Sequence, residues 1–419
     1  MRFLIAAPSS GSGKTTITLG LLRAFSQDGL TVTGAKSGPD YIDPRFHETA
    51  CGRTCFNLDA WAMQPDRIVS LANAGSMIVE GAMGLFDGAP PHGKGACADL
   101  ARILDLPVVL VVDAGRMAQS VAPIVQGFAQ FDPSVKIAGV ILNNVGSARH
   151  ETMLRDALTK IGITTFGAIP RNPSLQTPSR HLGLVQAQER PDLESFLDTA
   201  AAIVRENVDL SQLAQLGTKA SSPRSQTKQH APAQRIAIAQ DAAFAFSYPH
   251  LLQDWRNAGA ELSFFSPLAD EAAPDCDLIY LPGGYPELHA GKLASNTTFI
   301  QSLQSASQSI DIYGECGGYM ALGETLIDAD GTTHQMAGLL PLATSFASRK
   351  LHLGYRNIQA THGPFKGQWK GHEFHYATTL HVNGAPLFTA SDATDANLPD
   401  MGLRAGRVFG SFAHIIDAA

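Results

Sequence analysis

The stretch Ala7-Pro8-Ser9-Ser10-Gly11-Ser12-Gly13-Lys14-Thr15-Thr16 decides the fold of the first half of the chain. It follows a short apolar run at residues 3–7 and precedes a helical pattern rich in leucine. A strand, a loop of small residues and a helix in this order predict a phosphate-binding loop, because backbone N–H groups and a helix N-terminus attract anions. Lys14 would then reach the outer phosphates of a nucleotide, and the Thr15 hydroxyl would bind Mg²⁺. The residues expected to contact the nucleotide are Ser12, Gly13, Lys14, Thr15 and Thr16.

The composition is that of a globular protein with more than one domain. The chain has 419 residues, of which 44% are hydrophobic and 16% charged, and this length favours two cores over one. A net charge of −7 without a basic run argues against nucleic-acid binding. Because no apolar stretch could cross a membrane and the chain enters a strand without a cleavable signal, we expect a cytoplasmic protein. Its five cysteines form no CxxC pair, which indicates free thiols.

Short apolar runs separated by helical patterns continue along the first half. The run at residues 107–113 is uninterrupted, as in strands of a parallel sheet that is buried on both faces. This alternation predicts an α/β fold with a doubly wound sheet. Further strands are predicted at residues 31–36, 76–79 and 136–142.

A change of composition divides the chain. Residues 213–234 are rich in Ser, Gln, Lys, Ala and Pro and lack an apolar face, so we predict a linker at 206–234 between a first domain at 1–205 and a second at 235–419. Strand patterns restart at residues 235–239, and the second domain is predicted to be another α/β unit.

Carboxylates follow two of the predicted strands in the first half. Asp40 and Glu80 each lie just past a strand, at the edge where open α/β sheets bind ligands. Mg²⁺ prefers oxygen ligands, so we expect both residues to bind it together with Thr15. Asp43 and Asp87 lie in the same loops and could contact the metal or orient the acceptor substrate. The alternative for all four is that they cap turns.

His47, Cys51 and Cys55 recur every four residues and would share a helix face. A soft-metal site usually needs four ligands, and the sequence offers no fourth nearby. Core packing is therefore the favoured interpretation of these three residues.

The second half contains a nucleophile elbow with cysteine as the nucleophile. Gly314-Glu315-Cys316-Gly317-Gly318 follows an apolar run, and the glycines allow the sharp turn that presents a thiol. We expect the helix N-terminus behind Cys316 to stabilise a thiolate. The loop at residues 281–287 follows another strand, and the N–H groups of Gly284 and Gly317 are expected to form an oxyanion hole.

A cysteine nucleophile needs a base, and the 14 histidines leave two candidates. His375 lies in Gly371-His372-Glu373-Phe374-His375-Tyr376, and His414 follows a predicted strand at 407–410, where a closing loop could return to the elbow. Spacing alone does not choose between them.

Together these motifs resemble the cobyrinic acid and hydrogenobyrinic acid a,c-diamide synthases, a family of glutamine-dependent corrinoid amidotransferases. The resemblance covers nearly the whole chain and rests on several segments together. They are residues 13–16, 36–44, 80–88, 281–287, 314–319 and 371–376.

The resemblance implies an ATP-dependent synthetase domain similar to dethiobiotin synthetase and a class I-like glutamine amidotransferase domain. It places the nucleophile at Cys316 and the activating base at His414. Class I triads usually have Glu two residues after the histidine, but Ile416 stands here, so the resemblance implies a Cys–His dyad. The implied cofactors are ATP and Mg²⁺, and the implied substrates are L-glutamine and a corrinoid carboxylate. A homodimer is among the oligomeric states that remain open, and no membrane partner is expected.

Three alternatives stay open at this point. Cobyric acid synthase and nickel-sirohydrochlorin a,c-diamide synthase would differ only in the acceptor, and the segment at residues 37–44 favours the diamide group. A partitioning-type ATPase switch fused to a binding domain would not need the elbow at Cys316. The sequence also leaves open whether the acceptor contains cobalt.

Overall fold

A computed structural model describes residues 1–175, 179–180, 183–217 and 230–419 of the chain. Two compact units form, Met1–Gln226 and Thr227–Ala419. No helix among the described residues is both long and apolar enough to cross a membrane.

The first unit is built on a sheet of seven strands. They are β1 Arg2–Ala6, β2 Val32–Ser37, β3 Phe56–Leu58, β4 Ser76–Glu80, β5 Val108–Asp113, β6 Ile137–Val145 and β7 Thr165–Pro170, and a separate pair is formed by β8 Ser179–Arg180 and β9 Gly183–Leu184. The sheet order is β3-β2-β4-β1-β5-β6-β7, and every pairing in it is parallel. The helices are α1 Lys14–Gln27, α2 Asp43–Cys51, α3 Pro65–Leu71, α4 Cys97–Leu104, α5 Val121–Phe131, α6 Ala148–Thr159, α7 Leu193–Asn207 and α8 Leu210–Ala214.

The core of this unit is formed largely by apolar residues of the strands. Residues 108–112 of β5 are fully buried, because β5 lies between β1 and β6 within the sheet. Helix α1 packs against α7, and this brings the segment at 193–207 onto the phosphate-loop helix. The predicted α/β class with a parallel sheet is confirmed.

Part of the expected linker packs on the first unit. Helix α8 lies inside 206–234 and packs on β7 of the first unit, and the N–H of Arg2 donates to the carbonyl of Leu216. The first unit therefore extends past residue 205. Residues 218–229 of the expected linker lie outside the described residues, and a linker there stays a prediction.

The second unit is also α/β. Its helices are α9 Pro249–Asn257, α10 Ala290–Ser295, α11 Thr297–Ala306 and α12 Gly317–Leu322. The strands are β10 Arg235–Ala239, β11 Glu261–Phe265, β12 Leu278–Leu281, β13 Asp311–Glu315, β14 Thr325–Ile327, β15 Thr333–Gln335, β16 Leu342–Ser345, β17 His352–Ala360, β18 Gly367–His375, β19 Thr378–Val382, β20 Phe388–Ser391, β21 Leu403–Ala405, β22 Val408–Ser411 and β23 His414–Ala418.

These strands form three sheets. The largest has six strands in the order β11-β10-β12-β13-β22-β21 and is parallel except for the edge strand β21. Two four-stranded sheets accompany it, β15-β14-β16-β19 and β20-β17-β18-β23. The nucleophile elbow follows β13, which is a central strand of the largest sheet.

The end of the chain differs from the expectation of a closing loop after residue 410. Instead, His414 begins strand β23, which pairs antiparallel with β18 so that His414 lies opposite His372. The apolar residues Ile415 and Ile416 are fully buried and hold this strand in the sheet. A strand fixes His414 more firmly than a loop would.

Candidate active sites

The phosphate loop of the first unit has the backbone that the sequence predicts. Gly11 and Gly13 have φ angles of 79° and 93°, and α1 begins directly afterwards at Lys14. A side chain at Gly13 would also collide with Asn143, whose amide donates to the carbonyl of Ser12 at 3.0 Å. A cavity of about 760 Å³ opens beside this loop, and its lining includes Ser9, Gly11, Gly13, Thr16, Asp113 and Asn143.

Lys14 is folded back onto the loops. Its ammonium donates to the carbonyl of Met83 at 2.5 Å and to that of Ser9 at 3.4 Å. Burial lowers the pKa of Lys14, and the charges of Glu80 and Lys36 modify this effect in opposite directions. Met83 itself has a positive φ of 53°, so the loop after β4 is strained where it meets the lysine.

A buried charge cluster adjoins the first turn of α1. The Thr15 hydroxyl donates to Glu80 at 2.5 Å and lies 3.4 Å from Asp43. The Lys36 ammonium contacts the carboxylates of Asp43 at 2.5 Å and Glu80 at 2.8 Å, and lies 3.8 Å from that of Asp40. The ends of β2 and β4 bring these residues together because the two strands are neighbours, with Lys36 directly opposite Glu80.

The cluster is electrostatically coupled. Although burial by itself favours the neutral amine, Asp43, Glu80 and Asp40 hold the pKa of Lys36 well above its ordinary value. Burial and the Asp40 carboxylate raise the pKa of Asp43 to about 7, against the opposing effect of Lys36. Burial also disfavours the charged form of Glu80, but Lys36 and His47 hold the pKa of Glu80 below its usual range.

The four predicted carboxylates have different surroundings. Glu80 is fully buried, and Asp43 is nearly so. Asp40 accepts from the N–H groups of Ile42 and Asp43, so it closes the turn before α2 as well as facing Lys36. Asp87 accepts from the N–H of Gly84 at 2.9 Å and thereby fixes the loop after β4.

Lys36 and His47 belong to this site although their sequence patterns did not predict it. His47 contacts Glu80 through Nε2 at 2.6 Å and Cys55 through Nδ1 at 3.4 Å. His47 therefore does more than pack in the core, the role that we predicted, because its ring also orients the Glu80 carboxylate. Lys36 lies at the carboxyl end of a predicted strand, and this position could have identified it as a site residue.

The elbow of the second unit is strained as predicted. Cys316 lies between β13 and α12 with φ 48° and ψ −101°, a conformation that non-glycine residues rarely adopt. Its N–H donates to the carbonyl of Ser411 at 2.8 Å. Added side chains at Gly314 and Gly318 would collide with neighbouring backbone, so glycine is required on both sides of the nucleophile.

His414 lies beside Cys316. A Cβ added to Gly283 would be 2.2 Å from Cε1 and 2.9 Å from Nε2 of His414, and 3.3 Å from Cβ of Cys316. Gly283 therefore keeps the space between base and nucleophile open. The same construction places a Cβ on Gly317 2.9 Å from the backbone nitrogen of Gly284, so the two residues assigned to the oxyanion hole are neighbours.

Burial opposes the expected thiolate stabilisation at Cys316. Burial raises the pKa of the Cys316 thiol, the charge of Glu287 raises it further, and a hydrogen bond from the Gly317 backbone offsets only part of this. Helix α12 has six residues, too short for a large dipole effect. These effects favour the protonated thiol, so the reaction needs a base to remove its proton.

His375 belongs to a different group of side chains. It contacts Glu373 at 3.0 Å and stacks on Phe412 with ring centroids 3.9 Å apart. Glu373 also accepts two hydrogen bonds from Arg356. Burial alone would raise the pKa of Glu373, but His375 and Arg356 hold it at about 2.

A metal site at this group is not supported by its geometry. The ligand atoms of His352, Glu373 and His375 lie within 4.8 Å of one another, but the two imidazole rings are parallel and stacked. Parallel rings do not converge on one ion, so we assign no metal to this group.

Two family models match the chain, one in each unit. Residues 3–185 match the model of the CobQ/CobB/MinD/ParA nucleotide binding domain, and residues 235–419 match that of the CobB/CobQ-like glutamine amidotransferase domain. Fold, elbow and phosphate loop thus define a ligase of the glutamine amidotransferase type.

Full-length relatives narrow this class. Proteins named hydrogenobyrinate a,c-diamide synthase are 54% identical in Brucella abortus biovar 1, 52% in Sinorhizobium sp and 49% in Rhodobacter capsulatus. The alignments cover 98–99% of this chain and 98% of each relative. The chain belongs to the hydrogenobyrinate a,c-diamide synthase family, and the resemblance inferred from its motifs is confirmed.

Proposed function

We propose that this enzyme uses ATP and glutamine to convert the a and c carboxylates of hydrogenobyrinic acid to amides, a step in cobalamin biosynthesis. The observation that carries the proposal is that one chain contains both a strained Cys316 elbow beside His414 and a phosphate loop beside a carboxylate cluster. The names of relatives 49–54% identical over their full length support the cobalt-free acceptor over cobyrinic acid.

In the second unit, His414 removes the proton of the Cys316 thiol as the sulfur attacks the side-chain amide carbon of glutamine. The N–H groups of Gly284 and Gly317 stabilise the oxyanion. His414 then gives the proton to the leaving nitrogen, which departs as ammonia. Water hydrolyses the resulting thioester and releases glutamate, so the free thiol returns.

In the first unit, the phosphate loop binds ATP through Ser12, Gly13 and Thr16, and Lys14 turns from the Met83 carbonyl to the outer phosphates. An acceptor carboxylate attacks the γ-phosphorus and becomes an acyl phosphate while ADP leaves. Ammonia displaces the phosphate to form the amide. The same sequence of steps on the second carboxylate completes the diamide.

The residues around Lys36 fit a magnesium ion. Three carboxylates, those of Asp40, Asp43 and Glu80, surround the Lys36 ammonium, and the Thr15 hydroxyl donates to Glu80. Such hard oxygens are the ligands that Mg²⁺ prefers. Thr15, Glu80 and Asp40 would hold Mg²⁺, and Asp43 is a further candidate because it lies beside Thr15. When bound, Mg²⁺ would neutralise charge on the phosphates of ATP. Asp87 would orient the acceptor through the loop that it fixes.

Oxygen transfer tests the proposal. Hydrogenobyrinic acid labelled with ¹⁸O in its carboxylates is incubated with ATP, Mg²⁺ and glutamine, and the phosphate is analysed by mass spectrometry. The acyl phosphate route transfers one labelled oxygen to phosphate for each amide formed. Unlabelled phosphate accompanying amide formation would contradict it.

A homodimer and a cytoplasmic location are also part of the proposal. Light scattering of the purified enzyme tests the first, and a monomeric mass would contradict it. Cell fractionation followed by immunoblotting tests the second, and recovery of the enzyme in the membrane fraction would contradict it.

A further inference from the structure

The family resemblance implies that Cys316 has only a histidine partner, because Ile416 replaces the usual third residue. Ile416 is fully buried and apolar, so it offers no carboxylate to His414. A general-base histidine works best when a carboxylate fixes its orientation and stabilises the imidazolium that forms. The question is whether another residue of the unit supplies this group.

Glu315, the residue before the nucleophile, reaches His414 from β13. Its Oε2 lies 3.6 Å from Nδ1 of His414, and both side chains are 1% exposed. This contact is on the ring nitrogen opposite Nε2, and the Cε1–Nε2 edge lies at Gly283 next to Cys316. We propose that Glu315 is the positioning residue of the glutaminase site and completes a Glu315–His414–Cys316 relay. This inference rests on the glutaminase role proposed above for Cys316.

Two donors hold the Glu315 carboxylate in place. Oε1 accepts from the N–H of Ile415, the residue after His414, at 3.1 Å, and Oε2 accepts from the Tyr280 hydroxyl at 2.8 Å. The backbone contact ties Glu315 to the strand that carries the base. Burial and the negative charge of Glu315 raise the pKa of Tyr280, so the hydroxyl keeps the proton that it donates to Glu315.

The distance of 3.6 Å is longer than a hydrogen bond. Catalytic hydrogen bonds are often long before substrate binds and shorten in the complex with substrate. A proton moving from Cys316 to His414 creates a positive imidazolium, and Coulomb attraction then draws it toward the buried carboxylate.

Other titratable groups near His414 do not fill this role. His372 lies opposite His414 on β18, and burial together with His414 lowers the pKa of His372 to about 3, so it stays neutral. Nε2 of His250 on α9 donates to the carbonyl of Ile416. Glu373 is engaged by Arg356 and His375. Burial raises the pKa of the Cys316 thiol, which favours its neutral form.

The test compares Glu315→Gln with the exposed Glu261→Gln in the full-length enzyme. The glutamine side chain keeps an acceptor for Ile415 or Tyr280 but removes the charge. Basal glutaminase kcat of Glu315→Gln should fall at least about tenfold, with ammonia-dependent amidation unchanged and Glu261→Gln like the wild type. Because a carboxylate raises the pKa of a nearby histidine, the acidic limb of the glutaminase pH profile should move to lower pH by about half a unit or more.

Two results would distinguish a failure of the role of Glu315 from a failure of the proposed role of Cys316. Wild-type protein without glutaminase activity would overturn the role of Cys316 itself. Normal kcat and an unshifted acidic limb in Glu315→Gln would overturn the relay and leave that role intact.

A second variant keeps the inference testable if Glu315→Gln does not fold. Glu315→Asp keeps the charge but draws it away from Nδ1 of His414, so kcat at saturating glutamine should fall while ammonia-dependent amidation persists. An unchanged kcat in Glu315→Asp, together with unchanged labelling of Cys316 by iodoacetamide, would contradict the relay.

Discussion

Replacing Glu80 with Gln removes the charge at the centre of the buried cluster in the first unit. The carboxylate is fully buried and contacts Thr15, Lys36 and His47 at 2.5, 2.8 and 2.6 Å. An amide of the same size can accept at one atom only and directs its NH₂ group at one of these donors. Breaking a buried pair from one side costs about 3–5 kcal/mol, and we expect the lower end, about 3 kcal/mol, because Asp43 and Asp40 still contact Lys36.

The assay is calorimetric unfolding of the full chain beside Glu194→Gln, whose side chain is 65% exposed and pairs with Arg23. A unit of this size loses roughly 2–4 °C of Tm per kcal/mol, so Glu80→Gln should lower the transition by about 6–12 °C. The surface control should change stability by less than about 1 kcal/mol.

Activity provides the second readout for Glu80→Gln. Below its melting temperature the variant should lose amidation from glutamine and from ammonia alike, because the acceptor carboxylate is not activated. Basal glutaminase turnover should persist, since Cys316 lies in the other unit. Stability equal to that of the control, together with near-normal amidation, would refute our proposal that the acceptor carboxylate is activated at the Glu80 cluster.

Three further predictions concern single side chains. Cys316→Ala should abolish synthesis from glutamine but keep synthesis from ammonia, and loss of both reactions in a folded variant would count against separate sites. His414→Ala should lower glutaminase activity by roughly two to four powers of ten, whereas His375→Ala should be milder; iodoacetamide labelling that fails only in the His375 variant would reverse this assignment. Asp87→Asn should raise the KM of the acceptor more than that of ATP, and a larger effect on ATP in steady-state kinetics would place Asp87 at the nucleotide instead.

Local patterns predicted much of the fold. The uninterrupted run before Asp113 identified β5, since a strand buried on both faces tolerates so many apolar residues in sequence. The glycines flanking Cys316 predicted the elbow for a steric reason, and the structure has that turn. Both features depend on neighbours in the sequence.

Local sequence patterns did not predict the side-chain contacts that depend on pairing between strands distant along the chain. Glu315 and His414 are distant along the chain. The parallel pairing of β13 with β22 places Glu315 opposite Ser411, and His414 follows shortly after Ser411. Lys36 faces Glu80 because β2 and β4 are adjacent although β3 lies between them in sequence. Burial of Cys316 is likewise a property of the packed unit, and it opposes the expected thiolate stabilisation.

The most direct test of the central claim is mass spectrometry of the products formed from hydrogenobyrinic acid and cobyrinic acid, each incubated with ATP, Mg²⁺ and glutamine. We expect hydrogenobyrinic acid to gain two amides, at the a and c positions, with one ATP and one glutamine consumed for each. A product from cobyrinic acid alone, or amides placed at other carboxylates of the ring, would contradict it.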